Sequence, residues 1–355
     1  MIEKRIARLR QFLQECQADG VVIMQPENLR YFSAFTGGEG ALVLSLEGAV
    51  LWTDSRYTEQ AKGQSGSWYD VRNHAGQLSQ SIRQTLDQMG VQVAVYEENF
   101  LTHYMYEHIE KDSECYFQGE DLAQLRAVKE PYELTATRKA SSIADKAFAD
   151  LLPYIHPGVT EKELAARLES NMLLGGSEEK SFTTIVASGK RSAMPHGTAS
   201  SKVIQDGDFV TFDFGAVWEG YHSDMTRTVV AGHASQEQKD FYQLILAAQQ
   251  LGVASVKAGL SRRDGDFIVR NYFAERHVSQ YFTHALGHGT GLEIHEQPVL
   301  SPRSQGVLEE NMIVTVEPGL YIEGKFGVRI EDSVAVTADG CEILTKTPKE
   351  LMELV

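Results

Sequence analysis

The segment THALGHGTGLEIHE, residues 283–296, gathers His284, His288 and His295 around Gly287, Gly289 and Gly291. Imidazoles this close together on a permissive backbone suit metal ligation or proton transfer. His284 and His288 are four residues apart, the spacing of the histidine pair in the helical zinc motif HExxH. Ala285 stands where that motif needs its glutamate, and the glycines oppose a helix, so this site is excluded. Acids supply the remaining chemistry. FVTFDFG (209–215) alternates as a strand does and places Thr211, Asp213 and Gly215 on one face. YHSDMTRT is expected to place His222, Asp224 and Thr226 on one face of a second strand, and GVRIED to place Arg329 and Glu331 on one face of a third. VTVEPG ends a fourth strand with Glu317.

A lone carboxylate in apolar surroundings is costly and wants a cation. Any one of these acids would read as a salt-bridged or solvent-facing residue. Four of them beside a histidine-rich glycine loop read as a metal centre. Four carboxylates and one imidazole exceed the ligands of one structural zinc. They match two divalent cations that share bridging carboxylates, the charges of the ions and the acids cancelling. Oxygen-rich ligation favours Mn²⁺, with Co²⁺ and Zn²⁺ as the other options. Such a site activates water and polarises a carbonyl.

The elements that must position these groups fall into two parts. IARLRQFLQ has helical spacing, GVVIM is a short buried strand, and ALVLSL with AVLWT forms a hairpin around Glu47 and Gly48. Helices and strands alternate up to VQVAVYE, which makes a small α/β domain. The pattern changes near Leu125–Pro131, and the domain boundary is placed at residue 127. Pro131 suits the first turn of a long amphipathic helix, and Thr160 with Glu163 and Ser235 with Gln238 form capping boxes for two more. Strands dominate between these helices from Ser201 onward.

The 355 residues suffice for about two domains, and 42% apolar content lets each bury a core. A formal charge of −16 argues against nucleic-acid and anionic-membrane partners, which require basic patches. Cys16, Cys115 and Cys341 are scattered and form no CxxC, so neither a disulfide framework nor a zinc-cysteine site is expected. MIEKRIARLRQFLQ lacks the apolar centre of a signal peptide, and no apolar run approaches the about 20 residues of a membrane span. A soluble cytoplasmic protein is the expectation.

MPHG (194–197), DFGAVWEGYHSDMTRT (213–228), HALGHGTGLEIHE (284–296), VEPG (316–319) and GVRIED (327–332) together resemble, in order, the motifs of the pita-bread metallopeptidases. Within that group the chain is most similar to the proline-specific branch, aminopeptidase P and prolidase (Xaa-Pro dipeptidase). The first part, including TDSRY (53–57), resembles that branch's creatinase-type N-terminal domain. The resemblance implies an α/β creatinase-like N-terminal domain at residues 1–127 and an α+β pita-bread catalytic domain at residues 128–355. It implies that Asp213 binds one ion, that Asp224 and Glu331 bridge both, and that His288 and Glu317 hold the other. Glu317 would also carry a proton from water towards the leaving proline nitrogen. His196 and His295 would stabilise the tetrahedral intermediate, with His284 a further histidine lining the site. Arg329 would support the ligands from behind, and Thr226 would orient Asp224. Short proline-containing peptides as substrates and a homodimer are implied in the same way.

One departure bears on specificity. Prolidases often carry an arginine directly after the proline of HExP, where it can pair with a dipeptide's carboxylate. Here the segment is HEQPV, so Val299 takes that place, with Arg303 close by in sequence. This leans towards an aminopeptidase that accepts longer peptides. Methionine aminopeptidases share the ligands but usually lack an N-terminal domain, so methionine or broader specificity is the alternative. Metal-free relatives that only bind are disfavoured, because all five ligand positions are retained. His222 is read as structural, and His74, His103, His108 and His156 as non-catalytic.

Overall fold

A computed structural model of the chain describes residues 2–111 and 113–355. Two compact units divide it, residues 1–126 and 127–355. In the first unit, α1 (Ile2–Glu15) buries Ile2, Leu9 and Leu13 along one stripe, the helical spacing read from the sequence. A six-stranded mixed sheet follows, built from β1 (Gly20–Ile23), β2 (Ala41–Ser45), β3 (Ala49–Thr53), β4 (Asp70–Asn73), β5 (Val93–Glu97) and β6 (Tyr116–Glu120). The strand order is β4-β3-β2-β1-β5-β6. β2 and β3 form the expected antiparallel hairpin. α2 (Pro26–Ser33), α3 (Thr58–Ser65), α4 (Leu78–Met89) and α5 (His103–Glu110) complete the unit.

The second unit opens with α6 (Pro131–Leu151), which has Pro131 in its first turn and a capping box between Glu130 and Glu133. α7 (Glu161–Leu174) follows, with Thr160 and Glu163 capping one another. Both pack on a sheet of β7 (Ile185–Ser188), β8 (Asp208–Phe214) and β11 (Met225–Ala231), which a short hairpin of β9 (Val217–Trp218) and β10 (Tyr221–His222) interrupts. Alternation along β8 sends Val210, Phe212 and Phe214 into the core beneath α6 and α7. Thr211 and Asp213 therefore share the opposite face, and Thr228 and Thr226 of β11 pair with them in register.

α8 (Gln236–Ser255), capped by Ser235 and Gln238, and α9 (Arg262–Ala274) pack over a second core that includes Val269, Leu286, Val314 and Val316. Here the sheet comprises β12 (Gly287–Gly289), β13 (Glu296–Leu300), β14 (Ile313–Val316), β17 (Asp332–Val336) and β18 (Cys341–Ile343), and β15 (Gly319–Ile322) pairs with β16 (Phe326–Arg329) beside it. β19 (Glu353–Leu354) joins β11. Among the described residues no helix is long and apolar enough to cross a membrane.

Two strand expectations need correction. YHSDMTRT is not one strand: β10 ends at His222 and β11 starts at Met225, so Asp224 sits in the break. GVRIED is not one strand either, because the chain leaves β16 after Arg329 and enters β17 at Asp332 in the other sheet. Glu331 lies at that crossing, held by its amide on the Thr226 carbonyl at 3.1 Å. Of the four acids only Asp213 lies inside a strand, while Glu317 directly follows β14. Strand ends free a side chain from strict alternation, which lets acids from separate strands aim at one point.

Candidate active site

Asp213, Asp224, Glu317 and Glu331 line one cavity of about 420 Å³ together with His288. The same cavity touches His196, His284, His295 and Arg329. All ten metal and catalytic assignments made from the sequence, with Glu317 counted in both roles, thus fall on its wall. His222 does not reach it, and its Nδ1 stands 2.9 Å from Ser181 Oγ.

The glycine loop works by closeness. Gly287 and Gly289 lie in β12, which runs between β13 and β14. A Cβ on Gly287 would stand 1.9 Å from the Thr315 carbonyl oxygen, and one on Gly289 would stand 2.3 Å from that of Gln297. Glycine lets three backbones approach where any side chain would part them. His288 is thereby carried to the acids, its Nε2 lying 3.5 Å from Asp224 Oδ2 and 3.4 Å from Glu317 Oε1. Its other nitrogen, Nδ1, donates to the Gly289 carbonyl at 3.1 Å. Burial holds the imidazole below its ordinary pKa, so it is neutral and Nε2 presents a lone pair to two carboxylates.

Acceptors facing acceptors repel unless a cation or a proton lies between them. Ligand atoms of Asp224, His288 and Glu331 all lie within 4.8 Å of one another. Burial, then the charges of Glu331, Asp213 and Glu317, hold the Asp224 carboxyl well above the usual carboxylate range. Burial with Glu317 and Asp213 does the same to Glu331. Burial also raises Glu317, against the opposing pull of His284 and Arg329. Arg329 Nη2 donates to Asp213 Oδ2 at 2.6 Å, and the buried Oδ1 of Asp213 has no hydrogen-bond partner among the described residues. An orphaned oxygen, a lone-pair nitrogen and three buried carboxyls raised above their ordinary range fit divalent cations.

Arg329 does not pair directly with Glu331. Besides Asp213 it donates to Thr226 Oγ1 at 3.0 Å, and Thr226 in turn donates to Glu331 Oε2 at 2.6 Å. Thr226 therefore braces Glu331, where the sequence reading assigned it to Asp224; the break at Ser223 moves Asp224 off its face. Arg329 Nη1 also donates to the Tyr321 hydroxyl at 2.7 Å, and that hydroxyl meets His284 Nε2 at 3.0 Å. His284 Nδ1 meets the Ala285 carbonyl at 2.8 Å, so both ring nitrogens are engaged. His295 is exposed and turns its ring edge to His288, centroids 4.4 Å apart. His196 is exposed on the loop after β7.

Two contributors escaped the sequence reading. Tyr321 carries no titratable signal at neutral pH and sits in a plain hairpin. Thr315 bonds the His288 amide at 3.0 Å and Glu317 Oε1 at 3.1 Å. Its position two before Glu317 on an alternating strand was the available signal.

The chain matches the model of metallopeptidase family M24 over residues 135–338, and that of the creatinase/prolidase N-terminal domain over residues 5–128. It is 38% identical over 355 residues to a Xaa-Pro dipeptidase of Pyrococcus furiosus, covering 99% of this chain and 100% of the relative. A solved Xaa-Pro dipeptidase from Bacillus anthracis superposes with a TM-score of 0.97 at 43% identity, covering 99% of each chain. A solved X-Pro aminopeptidase from Thermotoga maritima gives 0.89 at 39% identity, covering 98% of this chain and 99% of that one. A creatinase-type N-terminal domain followed by a pita-bread catalytic domain, with acids and histidines converging in the second, makes this chain a member of metallopeptidase family M24.

Proposed function

We propose that the chain is a two-cation Xaa-Pro exopeptidase that removes the residue preceding proline from the N-terminus of short peptides. The observation that carries this is the convergence of four carboxylates and the lone-pair nitrogen of His288 in one cavity, beside an apolar wall. Phe182, Ile185, Ile294 and Val299 form that wall, a surface suited to a pyrrolidine ring. The printed activities of the Pyrococcus, Bacillus and Thermotoga relatives support the proline preference.

In this reading Asp213 would hold one cation, Asp224 and Glu331 would serve both, and His288 and Glu317 would hold the second. Two such ions, with Mn²⁺ favoured by the oxygen-rich set, would supply the activation of water and the polarisation of the scissile carbonyl. Glu317 takes the water's proton at a carboxylate oxygen and passes it to the proline nitrogen as the bond breaks. His196 and His295 donate from ring nitrogens to the oxygen that gains charge. Arg329 fixes Asp213, and through Thr226 it fixes Glu331. Tyr321 fixes the ring of His284.

Peptide length turns on two residues. Val299 leaves the wall apolar where a dipeptide's carboxylate would want a cation. Arg303 lines an adjoining cavity of about 380 Å³ that shares His284 and Ala285 with the site, and it is the candidate for that cation. A homodimer and a cytoplasmic setting belong to the same proposal. The first is supported by the family resemblance, the second by three free cysteines and an acidic composition.

The test compares Ala-Pro, Ala-Pro-Ala and Ala-Ala-Ala at equal concentration on Mn²⁺-loaded protein, before and after EDTA. Hydrolysis confined to the proline peptides and abolished by chelation is expected. Equal turnover of Ala-Ala-Ala would overturn the proline preference, and full activity without metal would overturn the mechanism. Preference for Ala-Pro assigns Arg303 as the carboxylate anchor; preference for Ala-Pro-Ala makes Val299 the decisive residue.

A further inference from the structure

His196 stands exposed on a loop that leaves β7 at Ser188 and is recovered near Ser200. An exposed side chain on such a loop keeps its place only if the loop is fastened. Glu161, the first residue of α7, is completely buried directly beneath both ends. Its Oε1 accepts from the Ser188 amide at 2.8 Å and from Ser188 Oγ at 2.9 Å. Its Oε2 accepts from the Ser200 amide at 3.0 Å, from Ser200 Oγ at 2.7 Å and from Arg191 Nη1. Arg191 Nη2 then donates to the Thr198 carbonyl at 2.8 Å, two residues past His196. One carboxylate thus ties the loop's departure to its return, and Arg191 adds a second link between its two ends. Arg329 meets the same loop from the cavity side at the Pro195 carbonyl, 3.2 Å away.

We propose that Glu161 is a positioning residue for the reaction: it fixes the Ser188–Ser200 loop and so holds His196 where substrate binds. This rests on the reading of His196 as the group that stabilises the tetrahedral intermediate. Glu161 itself touches no substrate and lies outside the metal-ligand set. A carboxylate suits the task because all five partners are donors, and only an anion with two accepting oxygens satisfies them together. Glutamine of the same volume would turn an N–H towards either the Ser188 or the Ser200 amide, donor against donor.

The experiment uses Mn²⁺-loaded full-length protein with Ala-Pro-Ala as substrate. E161Q, R191A, H196A and the double variant E161Q/H196A are compared for bound metal, kcat, KM and amide hydrogen exchange across residues 189–199. E161Q should retain its metal and KM and lose kcat by up to about 100-fold, the scale of a misplaced catalytic group. In the H196A background the same change should cost almost nothing further, because both substitutions remove one function. Exchange should quicken within the loop and nowhere else. R191A, which keeps the buried carboxylate and is the safer variant for folding, should show a smaller loss in the same direction. Equal losses from E161Q in both backgrounds, or unchanged loop exchange, would overturn the proposal. Wild-type turnover by H196A would overturn the reading of His196 instead, and with it any catalytic consequence of the clamp.

Discussion

Glu331 and Asp332 are consecutive in the chain, both are buried, and they look into regions of opposite character. Asp332 meets Arg227 Nη2 at 2.8 Å, Lys349 Nζ, Gln249 Nε2 at 2.9 Å and Thr345 Oγ1 at 2.8 Å. Burial would raise its pKa, yet Arg227 and Lys349 outweigh burial and hold it below the usual range. Glu331 accepts from one neutral hydroxyl, that of Thr226, while burial and then Glu317 and Asp213 push it far above the usual range against the pull of Thr226 and Arg329. The protein supplies cations from its own sequence on one side of a peptide bond and too few on the other. The same contrast recurs nearby. Asp266 is paired by Arg270 at 2.7 and 2.9 Å, while Asp213, Asp224 and Glu317 share Arg329 among them. An acid whose partners the chain encodes is part of the fold; a cluster left short of positive charge is built for ions from outside.

Breaking the first side should have the largest effect on function. Glu331→Ala is expected to lose bound metal and activity together. The loss should exceed the about 10- to 100-fold typical when only a residue behind a ligand is removed. The comparison adds a less obvious expectation: without metal, Glu331→Ala should be at least as stable as the metal-free wild type, because it relieves crowding among Asp213, Asp224 and Glu317. Metal analysis and urea unfolding in EDTA read both. A variant that keeps two ions and turns over normally would defeat the assignment.

Asp332→Ala should do the reverse. It strands Arg227 and Lys349 beside an emptied site, and breaking a buried pair in this way costs about 3–5 kcal/mol. Arg227 also donates to the carbonyls of Thr226 and Glu331, so some weakening of metal binding should accompany the loss of stability. Urea unfolding in EDTA isolates the stability term. A metal-free variant as stable as the wild type would show that Asp332 is not a structural partner.

The chemistry was more legible in the sequence than the geometry that assembles it. Asp213 was readable because alternation along one strand places it against Thr211 with no outside information. The helix starts at Thr160 and Ser235 were readable because a capping box is a local hydrogen-bonding device. The breaks at Asp224 and Glu331 were not, because nothing local records a chain passing from one sheet to another. Arg329 was readable as a supporting group but not its partner. It joins Asp213 from 116 residues away, a pairing that only the fold creates. Glu161 carried no signal in the sequence, since its burial depends on a loop that returns far downstream.

Glu97 in the N-terminal unit sharpens the comparison from between its extremes. It is 4% exposed. Its Oε2 accepts from the amides of Met24 and Gln25 at 2.7 and 2.8 Å, and its Oε1 from Asn28 Nδ2 at 2.7 Å. It thus has more partners than Glu331 and weaker ones than Asp332. Burial raises its pKa to about 7, against the pull of those hydrogen bonds and of Arg126. Unfolded, the carboxyl releases its proton near 4.5, the ordinary value. Between these values the folded chain holds a proton that the unfolded chain has lost. Stability therefore falls as pH rises from about 4.5 and levels off above about 7. At about 1.4 kcal/mol per pH unit the full fall is about 3 kcal/mol. Metal-loaded wild type and E97Q, unfolded in urea at pH 5 and pH 8, separate this from every other titration the two proteins share. The wild type should lose about 2–3 kcal/mol more than E97Q over that interval. Equal slopes would mean that hydrogen bonds from two amides and an asparagine suffice to hold a buried carboxylate charged, and that full pairing by cations, as at Asp332, is more than this fold requires.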